Sequence, residues 1–340
     1  MSQGHVSPPL CLGDAFGRSI QYLRLSVTDR CNLRCSYCQS NAVHEFIPHE
    51  HILHYEEILR FVNIVYHLGI EKVRLTGGEP FVRKGCAEFL WMLRQKFPSL
   101  DIRITSNGTL LAEHVTLLKR IRVGAVNLSL DSFDAETFAT ITGRKLLPQV
   151  LASLEKLLAE GVVVKINAVA LRGITEREID NFLSFANTYG VDVRFIEFMP
   201  MGRDTLWNAS RFCPVSDLLA LIEERVRLQP CPSDERSDGP ARMFSMAGRK
   251  GRIGVISPLS NHFCHTCNRL RLTSEGALRL CLFDDHEYPL RPMLCDPTVR
   301  DEDIAAYLRK LCQTKPLGYD LLRAKKGTAV ARSVMSGIGG

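Results

Sequence analysis

The chain has 340 residues, 45% of them hydrophobic, with a formal net charge of +6 and a pI near 8.7. That length supports one large domain or two of ordinary size, and no apolar run reaches the roughly 18 residues that a membrane-spanning helix needs. The slight basic excess suits an ordinary enzyme or one with an anionic substrate such as a nucleotide. Basic residues are spread along the chain rather than gathered in one block, which argues against nucleic acid. The amino-terminal stretch lacks the charged start and apolar core of a secretory signal, and Asp14 and Arg18 fit a transit peptide poorly, so a cytoplasmic protein is expected.

In chain order, residues 22–27 read as a strand and are followed at once by Cys31, Cys35 and Cys38. A helix is expected at 55–68, then a strand at 72–76 running into "GGEP" (77–80). A helix at 86–97 precedes a strand at 101–106, which ends in "TSNG" (105–108). A helix at 110–121 leads to a strand at 125–130, which ends in "SLD" (129–131). After a helix at 147–160, the strand at 162–170 carries Lys165 and Asn167. A helix at 175–189 then leads to a strand at 191–198 that opens into "FMP". The strands are β-rich runs, and the helices show apolar residues at three- and four-residue spacing. Strand and helix alternating six times imply a parallel sheet with right-handed crossovers, either doubly wound or a (β/α) barrel. The polar and glycine-rich features collect at the carboxyl ends of the strands, where barrels build active sites. Six units fall short of eight, so the expected fold class is α/β, an open, partial (β/α)6 barrel.

Beyond residue 205 the pattern changes. The expected division is residues 1–205 for the barrel and 206–340 for an α+β extension. The extension should contain a helix at 214–225, a loop at 229–242, and short strands at 242–246 and 252–256. A hairpin at 269–282 turning near Glu275–Gly276, a helix at 301–313 and a small-residue tail, "SVMSGIGG" (333–340), complete it.

Twelve cysteines are too sparse for a disulfide scaffold, and without a signal disulfides are not expected. Cys11, Cys86, Cys213, Cys231, Cys295 and Cys312 are isolated and read as buried, inert thiols. The other six form two trios, Cys31, Cys35 and Cys38 in C-x3-C-x2-C and Cys264, Cys267 and Cys281 around a run of arginines. Three thiolates can hold three irons of a cubane iron–sulfur cluster and leave the fourth open to a ligand. A structural zinc would need a fourth protein ligand; His44, six residues after Cys38, stands at an unusual spacing.

C-x3-C-x2-C with Tyr37 before its last cysteine, followed by "GGEP", resembles the radical S-adenosylmethionine (SAM) enzymes. Adding "NLSLDSF", "KINAVALRG", "RFIEFMP", "HFCHTCNRLRLTSEGALRLCL" and the terminal "GG", nearly the whole chain resembles the MoaA family, the GTP 3′,8-cyclases of molybdenum cofactor biosynthesis. The resemblance implies a lyase with two [4Fe–4S] clusters. Cys31, Cys35 and Cys38 would hold the cluster that binds SAM. Cys264, Cys267 and Cys281 would hold a second cluster, in the extension, whose open iron meets guanine. It implies GTP contacts by Arg24, Arg74, Thr105, Lys165, Arg269, Leu270 (backbone) and Arg271, and SAM contacts by Tyr37, Gly78, Ser129 and Met199. Arg269, Arg271, Gly339 and Gly340 are the residues it marks as catalytic. The implied reaction removes hydrogen from C3′ of the ribose, and C3′ then bonds to C8 of guanine. Implied partners are GTP, an electron donor such as flavodoxin or ferredoxin, the downstream cyclic pyranopterin monophosphate synthase, and a second copy of the chain in a homodimer. No membrane or nucleic acid is implied. Gln39 and Ser40 replace the family's usual Met and Pro, and "KPLGYD" (315–320) lacks a histidine common nearby.

Two rival readings remain open at this level. One is a twin-cluster radical SAM maturase that modifies a peptide, and the other is a zinc-stabilised, nucleic-acid-binding protein. The arginines beside the second trio and the terminal glycines argue against the first.

Overall fold

The protein is described from a computed structural model, over residues 11–38, 46–202, 207–232, 239–324 and 335–338. The strands in chain order are β1 (Leu12–Gly13), β2 (Ser19–Ile20), β3 (Tyr22–Ser26), β4 (Lys72–Thr76), β5 (Asp101–Ser106), β6 (Ala125–Ser129), β7 (Val164–Ala170) and β8 (Asp192–Glu197). They continue with β9 (Leu228–Pro230), β10 (Arg242–Met246), β11 (Arg252–Ile256), β12 (Arg269–Leu272), β13 (Ala277–Arg279) and β14 (Tyr288–Pro289). The helices are α1 (Tyr55–His67), α2 (Cys86–Lys96), α3 (Val115–Arg120), α4 (Ala135–Thr142), α5 (Leu147–Ala159), α6 (Thr175–Tyr189), α7 (Val215–Glu223), α8 (Arg291–Cys295), α9 (Asp301–Gln313) and α10 (Gly318–Ala324).

The six expected strands, β3 to β8, lie side by side in sequence order and all run parallel. The sheet does not stop there. β12 adds to β3 in parallel, and β11 adds to β8 in parallel. Antiparallel β13 and β14 then extend one edge and β10 and β9 the other, giving a 12-stranded sheet. Among the described residues, the strands beyond residue 205 therefore form no sheet of their own. They widen the barrel sheet at both edges, which the sequence pattern did not reveal because pairing between β3 and β12 spans more than 240 residues.

Alternation sets the two faces. Leu23, Leu25, Val73, Leu75, Ile102, Ile104, Val126, Leu128, Ile166, Val193 and Phe195 are sealed beneath the helices. In α1 the buried residues Ile58, Phe61, Val62 and Val65 recur at helical spacing, giving the stripe that packs on the sheet. Parallel strands are normally apolar on both faces. Here the other face carries Arg24, Arg74, Asn127, Lys165 and Arg194, all buried or half-buried, so it is built for a ligand rather than for a core.

Two α-helices within residues 1–205 depart from expectation, and the short β1, β2, β9, β14, α8 and α10 lie outside the expected elements. The helix at 110–121 is a 3-10 turn (Leu111–Glu113) followed by the short α3. α4 was not anticipated; Asp134 caps it by accepting from the Thr137 amide at 2.8 Å, and Gly143 ends it with φ of 67°. Of the isolated cysteines, Cys86, Cys213 and Cys312 are buried as expected, but Cys11 and Cys295 are exposed and Cys231 is half-buried at the cavity. Among the described residues, no helix is long and apolar enough to cross a membrane.

Candidate functional site

The inner face of the sheet opens into a cavity of about 760 Å3. Strand register determines which charges meet in it. Arg271 on β12 stands opposite Arg24 on β3, Arg24 opposite Arg74 on β4, and Arg74 opposite Arg103 on β5. Four arginines thus form one row across four adjacent strands, and all four line the cavity. Neighbouring strands lie only about 4.8 Å apart, and like charges directly opposite are destabilising. One row away, Arg269 pairs with Tyr22 and Tyr22 with Lys72. Burial, then Arg24 and Arg269, hold the Arg271 guanidinium well below its ordinary range. Burial lowers Arg24 to about 10; Tyr22 opposes this, while Arg74 and Arg269 add to it. Burial resists ionisation of the Tyr22 phenol, but Arg74, Arg24 and Arg269 together outweigh it and bring it to about 7. Arg74 donates to the Tyr22 hydroxyl. Such a face calls for a polyanion.

Of the residues expected to contact GTP, Arg24, Arg74, Thr105, Arg269 and Arg271 line this cavity. Lys165 does not. Its ammonium lies 3.6 Å from the Asp192 carboxylate, in the same register row. Leu270 turns its side chain into the core, so only its main chain is near the site. Lys72, Arg103, Arg194, Asn127 and Asn167 also line the cavity and were not anticipated as contacts. The side-chain oxygens of Asn127 and Asn167 are buried without a hydrogen-bond partner among the described residues, leaving acceptors ready for a bound ligand. Period-two reading would have found Lys72 and Arg103, which lie two residues from Arg74 and Thr105 and so share their face.

The first trio sits at the rim. Cys31, Cys35 and Cys38 all line the cavity. Burial pushes all three thiols up, Cys38 to about 12, and the sulfurs repel one another's charge. Ionised sulfurs here need cationic metal beside them. Donors already point at them: the Leu33 amide at 3.4 Å and the Asn107 side-chain amide at 3.6 Å reach Cys31, and the Ser336 amide reaches Cys38. Among the described residues no group of three His, Cys, Asp or Glu gathers closely enough to hold a single metal ion. Three soft donors from one loop, with hydrogen bonds to sulfur, fit a bulkier iron–sulfur cluster. His44, the spacing-poor alternative, and Gln39 and Ser40 lie outside the described residues.

Asn107 and Asp131 drew no specific role from sequence, yet both brace this loop. Asp131 accepts from the Tyr37 hydroxyl at 2.7 Å and from the Val169 amide at 2.7 Å, with burial raising its carboxyl to about 6. Glu79 of "GGEP" is fully buried and accepts from Ser106 and from the Asn107 amide at 2.7 Å, joining "GGEP" to "TSNG". Gly78 lines the cavity, but its missing side chain serves the protein's own loop: a Cβ there would sit 2.2 Å from the Arg30 carbonyl oxygen. Ser129 and Met199 also line the cavity, and Met199 packs in part against the apolar group of Met201, Phe283 and Ile338.

The second trio lies behind Arg269 and Arg271 and is not itself part of the cavity lining. Its electrostatics differ from those of the first. Burial opposes ionisation of Cys267, but Arg269, Lys315 and Arg271 outweigh it and bring the thiol down to about 7. Burial raises Cys264 and Cys281. The "KPLGYD" stretch wraps the trio: a Cβ on Gly318 would lie 2.9 Å from the Cys281 sulfur and 3.5 Å from that of Cys264, and the Tyr319 amide donates to Cys264.

The described part of the tail, residues 335–338, spans the site. Met335 and Ser336 line the cavity, Ser336 reaches Cys38, and Arg271 donates to the Ile338 carbonyl at 3.4 Å. Gly339 and Gly340 lie outside the described residues.

Residues 25–186 match the Radical SAM superfamily and residues 191–321 match Molybdenum Cofactor Synthesis C. The chain is 40% identical over 329 residues to the GTP 3′,8-cyclase of Petrotoga mobilis, covering 96% of this chain and 99% of that one. It is 43% identical over 304 residues to the GTP 3′,8-cyclase of Syntrophomonas wolfei, covering 89% and 93%. Among solved structures, SuiB of Streptococcus suis superposes with a TM-score of 0.61 at 15% identity, covering 90% of this chain and 68% of SuiB. SuiB bound to S-adenosylmethionine gives 0.60 at 14% identity, covering 92% and 76%. The likeness to SuiB is one of fold.

Proposed function

The chain belongs to the GTP 3′,8-cyclase family, and from that premise we propose that it cyclises GTP to 3′,8-cyclo-7,8-dihydro-GTP, the first step of molybdenum cofactor biosynthesis. The carrying observation is the row Arg271–Arg24–Arg74–Arg103, four guanidiniums brought by strand register to the cavity, where they fit the oxygens of a triphosphate. Cys31, Cys35 and Cys38 would hold one [4Fe–4S] cluster and Cys264, Cys267 and Cys281 a second. Bound at the first trio, the cluster with SAM supplies a one-electron cleavage that yields a carbon radical able to take hydrogen from the ribose.

The chain's own residues do the rest by placement. The arginine row holds the triphosphate, and Asn127 and Asn167 offer acceptors to the nucleotide. Tyr37, fixed by Asp131, and the "GGEP" loop shape the SAM side of the cavity together with Ser129 and Met199. Thr266, Asn268 and Leu282, neighbours of the second trio, line the cavity, so guanine at that end would approach the second cluster while the phosphates meet the arginine row. Holding the C3′ hydrogen of GTP beside the bound SAM brings two separate molecules together, and such positioning can remove about 7–11 kcal/mol of the barrier. Met335 and Ser336 of the tail line the cavity and Arg271 holds the Ile338 carbonyl, so the tail is placed to limit water at the site. The reading extends to a cytoplasmic enzyme fed by a flavodoxin or ferredoxin and followed by cyclic pyranopterin monophosphate synthase.

The direct test is incubation of the anaerobically reduced protein with SAM and GTP. Formation of the 3′,8-cyclised nucleotide is expected; unchanged GTP alongside turnover of a peptide would favour the maturase reading. Arg271→Ala should lower kcat/KM for GTP by about tenfold to 150-fold, the loss of one charge-assisted hydrogen bond of roughly 1.5–3 kcal/mol. In the same variant GTP should raise the Tm less than it does in the parent. An early-melting variant with intact GTP affinity would show that Arg271 is structural. Gly318→Ala should drive a methyl group into the Cys281 sulfur and lower iron at the second trio while sparing the first. Full iron loading in that variant would mean that the segment yields.

A further inference from the structure

We propose that Lys315, seated by Arg18, is a positioning residue of the second trio: its buried ammonium ties together the segments carrying Cys267 and Cys281 and supplies the counter-charge of the cluster they hold. This rests on reading Cys264, Cys267 and Cys281 as cluster ligands. Lys315 is 1% exposed, and its Nζ donates to the carbonyls of Arg269, at 2.8 Å, and Leu280. Arg269 follows Cys267 by two residues and Leu280 immediately precedes Cys281, so one ammonium joins both sides of the trio. Arg18 completes the brace. Its Nη2 donates to the carbonyls of Lys315 at 2.9 Å and Pro316 at 3.1 Å, and its Nη1 to that of Cys264 at 2.8 Å.

Charge bookkeeping separates the two cations. Arg18 is paired with the buried carboxylate of Asp14. No carboxylate pairs with Lys315 among the described residues, and negative charge on Cys267 or Cys281 would favour its ammonium. A buried ammonium without a counter-ion is expensive. Three thiolates outweigh the charge of an oxidised cubane core, so a cluster at this trio is anionic and would be that counter-ion. A fixed positive charge beside a cluster favours its reduced form, since net charge and hydrogen bonding set cluster potentials.

The test uses the full-length holoenzyme, reconstituted anaerobically with iron and sulfide, as Lys315→Arg, Lys315→Gln and Cys264→Ala. Both Lys315 variants keep a donor, which protects the fold. Redox titration followed by electron paramagnetic resonance reads each cluster separately. Lys315→Gln should either lose iron from the second trio alone or lower that cluster's midpoint potential by at least about 59 mV, a tenfold fall in the reduced-to-oxidised ratio for a one-electron couple. Lys315→Arg should keep the second cluster at its parent potential, and the first cluster should not move in either variant. A second cluster indifferent to Lys315→Gln overturns the assignment, as does equal damage to both clusters, which would mark a general fold role. If Cys264→Ala leaves the iron content undiminished, the trio is no cluster site, and the underlying reading fails rather than the role of the lysine alone.

Discussion

Cys35→Ala is expected to abolish GTP cyclisation and to lower the iron content from about eight to about four per chain, the content of one cubane. Three sulfurs from one short loop hold the first site. Removing the middle one leaves two donors, Cys31 and Cys38, whose thiols burial already keeps protonated. Their ionisation depends on the metal, so partial occupancy should collapse rather than fall by a third. The second trio is carried by other elements, the 3-10 turn Cys264–Thr266 and the hairpin around β12 and β13, and should keep its iron. Iron and sulfide assay with a visible absorption spectrum checks this. A variant that still cyclises GTP would place the radical chemistry elsewhere. A colourless parent protein containing zinc would sink the cluster reading altogether.

Deleting Gly339 and Gly340 should end cyclisation while leaving both clusters and SAM binding intact. The resemblance points to these glycines, and the residues just before them support the same expectation. Ser336 lies against Cys38 of the first trio, and the Ile338 carbonyl accepts from Arg271 of the phosphate-side row. Ile338 is buried with Met201 and Phe283, which anchors the tail inside the site. Glycine, with no side chain, suits a narrow space beside a substrate. The measurements are iron content, SAM affinity and product formation in the truncated chain. Full activity would show that the tail beyond Ile338 is dispensable. Loss of activity together with lost iron would show that it supports the clusters instead.

Much of the site was legible because its chemistry is local. C-x3-C-x2-C lies within eight residues, and "GGEP", "TSNG" and "SLD" each follow a strand whose period-two pattern is visible in a short window. Asn107 and Asp131 were seen at the rim, but their partners, Cys31 and Tyr37, are 76 and 94 residues away in the chain, so their bracing role was not. Lys315 and Gly318 were noted only as part of a stretch lacking a familiar histidine. Nothing in their composition says that they pack against sulfurs.

The sequence by itself determined the six strand–helix units, the two trios and the family, because periodicity and motif spacing are written in consecutive residues. It also indicated that arginines of the first and second halves serve one substrate, though not how. Tertiary structure alone decided that β12 pairs with β3 and β11 with β8. β12 beside β3 adds Arg271 to the row of Arg24, Arg74 and Arg103 that β3, β4 and β5 form, the register of β7 on β8 sets Lys165 against Asp192, and Arg18 and Lys315 meet beside the second trio. The physical reason is register. A one-residue slip of β12 against β3 would turn Arg269 and Arg271 to the opposite face, and register is set by burial across the whole sheet rather than by any stretch of the chain.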